Sequence, residues 1–183
     1  MCIVFIALGL DPRVRVTVAS NRDEFIRPSS RASIWPCSTP QRSVFGGRDL
    51  VRGGSWFAAA HSSQGTRFAV VTNYRTPSDG PSIPLSQPLN KPSRGFLVSQ
   101  FVESTFKAEE FLSNHVSWSE YEPFNLIVAD ESEVWWGTNV INSASAFTSP
   151  MKLEPGRVWG LSNALLETPW HKVVRGKELM FNA

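Results

Sequence analysis

Cys2-Ile3-Val4-Phe5-Ile6-Ala7-Leu8, followed across Asp11-Pro12 by Val14, Val16 and Val18 and then by Ser20-Asn21-Arg22-Asp23-Glu24, is the stretch that decides the fold. Its first segment is apolar at both parities, the mark of a strand covered on both faces and lying in the middle of a layered structure. The second segment sets its valines against Arg15 and Thr17, the alternation of a strand, and Asp11-Pro12 between them predicts a hairpin turn. Closing that hairpin brings Asn21, Arg22 and Asp23 within side-chain reach of Cys2. A solvated turn after a strand carries the same kinds of residue, so spacing alone leaves both readings open.

If Met1 is removed, as a small second residue permits, Cys2 carries a thiol and a free α-amine on one Cα. A free α-amine titrates near pH ~8 and a thiol near ~8.5. The amine can therefore take the thiol proton directly or through one water, which makes the pair a self-contained nucleophile and base. Taken alone, a cysteine that opens an apolar strand is more often buried packing.

The chain has 183 residues, 42% hydrophobic and 19% charged, which predicts a single globular domain over residues 1–183. Its net charge of +2 is spread without a basic stripe, so nucleic acid is not an expected partner. Two cysteines, Cys2 and Cys37, form no disulfide framework and no metal-ligand spacing, and no metal is expected. The apolar run from Cys2 to Leu10 has no basic leader and is about half the ~20 residues of a membrane span, so it reads as a strand and a cytoplasmic location is expected.

Further along, residues 25–41 read as a long irregular loop with three prolines. Phe45–Leu50 and Gly53–Ala58 read as a turn, a short strand, a second turn and a strand, and each Gly-Gly pair implies backbone passing close to something. Neither pair is a phosphate loop, since no Lys-Ser/Thr follows. Thr66–Asn73 is a strand with Asn73 at its end, and residues 76–92 form a second proline-rich loop. Leu97, Val98, Phe101 and Val102, then Ala108, Phe111 and Leu112, follow helical spacing with Ser93 and Thr105 as caps, and both helices are expected on one sheet face. His115 falls on or beside that stripe and reads as a core or rim residue. Phe124–Asp130 and Glu133–Gly137 form a hairpin, a short strand is expected at 146–148, Arg157–Asn163 is a strand, and Thr168-Pro169 opens a last helix. About eight strands and three helices in this order make an α+β protein.

Met1-Cys2, Ser20-Asn21-Arg22-Asp23-Glu24-Phe25, Gly46-Gly47-Arg48-Asp49-Leu50, Gly53-Gly54-Ser55-Trp56, Thr72-Asn73-Tyr74-Arg75, Ser93-Arg94-Gly95, Phe124-Asn125-Leu126 and Gly160-Leu161-Ser162-Asn163 together resemble the NRDE family, that of Transport and Golgi organisation protein 2. The resemblance covers essentially the whole chain, and family members are usually longer at the C-terminus. It implies an α+β fold, an αββα sandwich of the N-terminal nucleophile hydrolase type with its C-terminal part missing, and apolar surface left exposed there. Cysteine hydrolases of that type imply a role for each matching residue: Cys2 as nucleophile, Asp23 as the carboxylate holding the α-amine, Asn73 as an oxyanion donor and Asn163 as the second active-site asparagine. Asn21, Arg22, Glu24 and Trp56 are motif or pocket residues. Where those hydrolases carry an arginine on the second strand this chain has Ser20, and the distal arginine has no matching position. A partly buried thiol with no cation beside it stays mostly protonated.

Two functions follow from the resemblance. The first is a role in protein secretion and Golgi organisation, exercised by binding or trafficking a small apolar or acyl ligand, haem included, in such a pocket. Seven tryptophans could line it, though tryptophans more often fill cores, and adjacent Trp135-Trp136 must face opposite sides of their strand. No cofactor is identified by motif. The second is an amidohydrolase that cleaves a C–N bond of an N-acyl substrate through Cys2. Peripheral association with Golgi, endoplasmic reticulum or mitochondria is left open.

Overall fold

The computed structural model describes residues 2–22, 33–75, 91–140 and 149–182. Asp23, Glu24, the loop centred on residues 76–90 and the strand expected at 146–148 fall outside them. The described residues form an α+β protein with two antiparallel sheets and three helices.

The opening hairpin builds the smaller sheet. Strand β1 (Ile3–Asp11) pairs with β2 (Val14–Asn21) on one side and with β10 (Arg157–Leu161) on the other. Its apolar residues divide as the double parity requires. Val4, Ile6 and Leu8 are buried between the two sheets, while Ile3, Phe5 and Ala7 are half-buried on the other face, against which helix α3 (His171–Phe181) packs.

The larger sheet runs β3 (Ser33–Ile34), β4 (Arg42–Gly46), β5 (Phe57–Ser62), β6 (Gly65–Asn73), β7 (Phe124–Ala129), β8 (Val134–Thr138), β9 (Met151–Lys152). Strand β7 is buried at all six positions, the signature of a central strand covered on both faces. One face turns to the smaller sheet through Ile127, Ala129 and Trp136; the other turns to α1 (Gly95–Glu103) and α2 (Ala108–Asn114) through Leu126 and Val128. The layers are helices, sheet, sheet, helix. Trp136 lies fully buried in the inter-sheet core while Trp135 packs on the helix side, the opposition that strand alternation demands.

Several boundaries differ from those expected. A strand, β4, occupies Arg42–Gly46 ahead of the expected turn, and Gly46 lies so close to β5 that a Cβ would come within 2.8 Å of the Phe57 carbonyl oxygen. The chain then turns, and residues 49–54 close on themselves through Asp49 N–H to Gly54 O (3.1 Å) and Gly53 N–H to Asp49 O (2.9 Å). Gly53 and Gly54 both have positive φ, and a Cβ on Gly54 would meet the Gly95 carbonyl carbon at 2.4 Å. The partner of this close approach is the first residue of α1.

The helix caps also differ. Ser93 donates to Gly53 O (3.3 Å) and does not cap α1. Helix α2 begins after Lys107 and takes its cap from far away in sequence: Ala108 N–H donates to Asp130 Oδ2 at 2.8 Å. Thr168 closes a turn by donating to Leu165 O (2.7 Å), and the helix starts only at His171. His115 is at the rim, stacked on Phe106 with ring centroids 3.6 Å apart.

Candidate functional site

The β1–β2 register pairs Ile3 with Asn21 and Val4 with Ser20. Continued by one pair, it sets Cys2 across from Arg22. The β1–β10 register, which pairs Val4 with Leu161, likewise sets Cys2 across from Asn163. Residues directly opposite share a face, so Arg22 stands on the Cys2 side of the sheet and Asn21, paired with Ile3, on the other. Arg22, two residues beyond Ser20, is thus a cation on the thiol's face of the sheet, and Arg22 and Cys2 line one cleft. The physical reason is alternation: positions 20 and 22 share one face of the strand and position 21 does not.

A cleft of about 220 Å³ lies at this end of the sandwich. Cys2, Arg22, Trp56 and Asn73 line it together with Asp49, Arg52, Ser55 and Arg94. Arg22 lies over the Trp56 ring, 4.3 Å from its centroid, and donates to Asp49 Oδ2 at 3.2 Å. Asp49 is itself fixed, because its Oδ1 accepts from Val51 N–H and Arg52 N–H, both at 2.9 Å. Backbone carbonyls tether the other two guanidinium groups: Arg52 donates to Lys91 O (3.1 Å) and Arg94 to Pro123 O (3.0 Å). A tryptophan, a cysteine, three arginines and an aspartate therefore line one small cavity, suited to a polar group with a short apolar extension.

Asn163 is placed differently. It is 3% exposed and does not line the cleft. Its side-chain amide donates to Asn73 O (2.8 Å), while its main-chain carbonyl accepts from Arg75 N–H (2.9 Å). The N–H directed at Asn73 O is committed to the backbone, so Asn163 acts as a tie between the sheets. Beside it Ser162 donates to Cys2 O (2.7 Å) and Thr72 donates to Ser162 O (3.0 Å). Asn125, fully buried, donates to Ala164 O (2.9 Å) and accepts from Trp136 Nε1 (3.2 Å). These bonds fix the start of β1 against the ends of β6 and β10.

Sequence reasoning picked out Cys2, Arg22, Trp56 and Asn73 but gave no role to Asp49, Arg52, Arg94, Thr72 or Asn125. The signal that could have found Asp49 and Arg52 is the Gly53-Gly54 pair beside them, since a loop forced against another backbone carries its neighbours to that contact; Arg94, next to Gly95 on the other side of the contact, had no such signal. Cys37, the second cysteine, does not line the cleft. Burial, and then the Glu103 carboxylate 3.5 Å away, push its thiol up. Among the described residues no group of three metal-ligating side chains is present, and no helix is long and apolar enough to cross a membrane.

A family profile described as Transport and Golgi organisation 2 matches residues 1–183. The chain is 35% identical over 191 residues to the Transport and Golgi organization protein 2 homolog of Bos taurus, across 100% of this chain and 64% of that one. The homolog of Homo sapiens is 34% identical over the same shares. Transport and Golgi organization protein 2 of Drosophila melanogaster is 24% identical over 97% of this chain and 63% of its own. The chain thus spans about 64% of the length of the vertebrate relatives it matches. On a profile match over its full length and a vertebrate relative at 35% identity, the chain belongs to the Transport and Golgi organisation 2 family.

Proposed function

We propose that this chain serves protein secretion and Golgi organisation, the role its relatives are named for, by binding or trafficking a small acyl-bearing ligand in the cleft at Cys2. The observation that carries the reading is the convergence of Cys2, Arg22, Trp56 and Asn73, from four separate stretches of chain, on one cavity. Its volume of about 220 Å³ is below the roughly 300–1,000 Å³ typical of sites for drug-sized ligands. A head group or reacting carbonyl fits that space better than a whole porphyrin. Trp56 supplies the apolar wall and the guanidinium groups suit a polar head. The helix–sheet–sheet–helix layers, with Cys2 at the start of a central strand, support kinship with N-terminal nucleophile hydrolases.

A second reading, amide hydrolysis through Cys2, is favoured by Arg22 standing across from the thiol, because a nearby cation supports the thiolate. In that reaction the sulfur bonds the acyl carbon, the C–N bond breaks, and the thiol proton passes through the α-amine to the leaving amine. Water then cleaves the thioester to the acid. The committed N–H of Asn163 leaves Asn73 as the asparagine at the cleft, and loss of one oxyanion donor typically costs about 100- to 1,000-fold. Binding is therefore ranked first.

The deciding experiment gives an N-palmitoyl amide to wild type, Cys2→Ala and Trp56→Ala, and measures retained ligand and released palmitate, with intact mass reporting whether Met1 is present. Retention by wild type and Cys2→Ala, loss in Trp56→Ala and no release are expected. Robust release that vanishes in Cys2→Ala would put the hydrolase first, and equal retention by all three would remove the cleft as the binding site.

A further inference from the structure

We propose that Asp49 is a positioning residue for Cys2, holding the Arg22 guanidinium between its carboxylate and the Trp56 ring on the thiol's face of the sheet. The inference rests on the reading of Cys2 as the centre of the ligand site.

Arg22 follows the last residue of β2. Contacts with the larger sheet's loop and ring direct its side chain. The Trp56 ring lies beneath the guanidinium at 4.3 Å and the Asp49 carboxylate accepts from its Nη2 at 3.2 Å. Both partners of the ion pair are sheltered, with side chains 14% and 26% exposed, so the pair is less screened than one on an open surface.

The carboxylate can serve as an anchor because it is itself held. Val51 N–H and Arg52 N–H both donate to Oδ1, which orients the carboxylate plane and turns Oδ2 toward Arg22. The Asp49–Gly54 loop is closed by two main-chain hydrogen bonds and pressed against α1 at Gly54. A rigid loop on the larger sheet therefore fixes a cation belonging to the smaller sheet, and Cys2 and Trp56 complete the arrangement. Arg52 and Arg94 are the other charged groups lining the cleft among the described residues.

A carboxylate near a thiol can act in two opposed ways. Its own charge disfavours a thiolate, whereas the guanidinium it positions favours one. Positioning dominates if Arg22 stands between Asp49 and Cys2, an order supported by the Arg22–Asp49 hydrogen bond and by the place of all three residues in one cleft. The two roles predict opposite signs for one substitution.

The test uses the full chain carrying Cys37→Ser, so that Cys2 is its only cysteine, and follows alkylation by iodoacetamide from pH 6 to 9 by intact mass, with and without N-palmitoylglycine. Arg22→Gln is expected to slow alkylation at pH 7 by up to about tenfold, the effect of one unit of thiol titration. Asp49→Asn keeps an oxygen for the two loop N–H groups. It is expected to slow the reaction about three- to tenfold and to move the pH–rate profile to higher pH. Asp49→Ser can close the same turn through its hydroxyl without reaching Arg22, and should give the same sign if Asp49→Asn folds poorly. Faster alkylation, a profile moved to lower pH, or no change in a folded Asp49 variant overturns the proposal. Protection by N-palmitoylglycine in the Cys37→Ser chain tests the ligand reading separately. Its loss with the Asp49 effect intact removes that reading alone, and protection with no Asp49 effect removes only this inference.

Discussion

The side-chain amide of Asn163 donates to the main-chain carbonyl of Asn73 at 2.8 Å, tying the end of β10 to the end of β6 across the two sheets. Asn163 is buried, and its Oδ1 has no donor among the described residues. Cys2 sits beside it, its carbonyl held by Ser162. The position of the thiol relative to the larger sheet thus depends on polar contacts rather than on apolar packing alone.

Asn163→Ala would remove this part-buried hydrogen bond and leave the Asn73 carbonyl without that donor. A typical intramolecular hydrogen bond contributes about 0.5–1.5 kcal/mol net, and a decrease of that size in urea-unfolding free energy is expected. A change below about 0.5 kcal/mol, the range of ordinary surface substitutions, would show that the tie contributes little to stability.

Asp130 gives a pH-dependent expectation. Burial acts to raise its carboxyl, but donation from Ala108 N–H, Ser132 N–H, Ser132 Oγ and Glu133 N–H outweighs it and holds the group below its usual value. A carboxyl lowered in the folded state adds stability above its unfolded value, and that stability is lost as pH falls through the folded one. Asp130→Asn should therefore lower Tm at pH 7, with the difference from wild type closing below about pH 4. A difference that stays constant from pH 7 to pH 2 would show that the carboxylate charge plays no part.

The opening hairpin was legible because its signals are local. Apolar residues at both parities of β1 and the alternating valines of β2 fix which face each side chain takes. Alternation also places Arg22 with Cys2 once the pairing is drawn, although Ser20 drew attention first. The rest of the cleft was not legible in the same way. Asp49, Arg52 and Arg94 sit in turns and at a helix start, where charged residues are ordinarily solvated, and only contact between the closed loop and α1 brings them to the thiol. The α2 cap escaped for a related reason: Asp130 is 22 residues from the N–H it accepts, so a search for a neighbouring Ser or Thr settles on Thr105. The family resemblance rested on several of the same blocks but gave no geometry for them.

Gly54→Ala tests that loop contact. The residue has φ +74°, and a Cβ would meet the Gly95 carbonyl carbon at 2.4 Å, an approach that requires backbone to move. A non-glycine residue at positive φ costs about 1–2 kcal/mol before any clash, so a loss above about 2 kcal/mol is expected. Because the same loop carries Asp49 and Arg52, binding at the cleft should weaken even at temperatures where the variant is fully folded. Unchanged stability in denaturant titration would mean that the loop and α1 can separate without cost.

Gly176→Ala sets two effects against each other within one helix. In an exposed helix interior, replacing glycine by alanine gains about 1 kcal/mol from helix propensity alone. Here α3 lies over β1, and a Cβ at position 176 would fall 2.1 Å from the tip of the Phe5 ring. The ring is half-buried under the helix, so it must turn or α3 must lift, and overpacking of this kind costs about 1–3 kcal/mol. Val173 is the buried residue of α3 and would lose contact with the sheet if the helix lifted. The expected outcome is a net loss of about 1 kcal/mol in thermal or urea unfolding, opposite in sign to the propensity gain. Phe5→Leu in the same chain should relieve it, because a shorter side chain leaves room for the added methyl. A stabilised Gly176→Ala variant would show that α3 is held loosely enough for propensity to prevail.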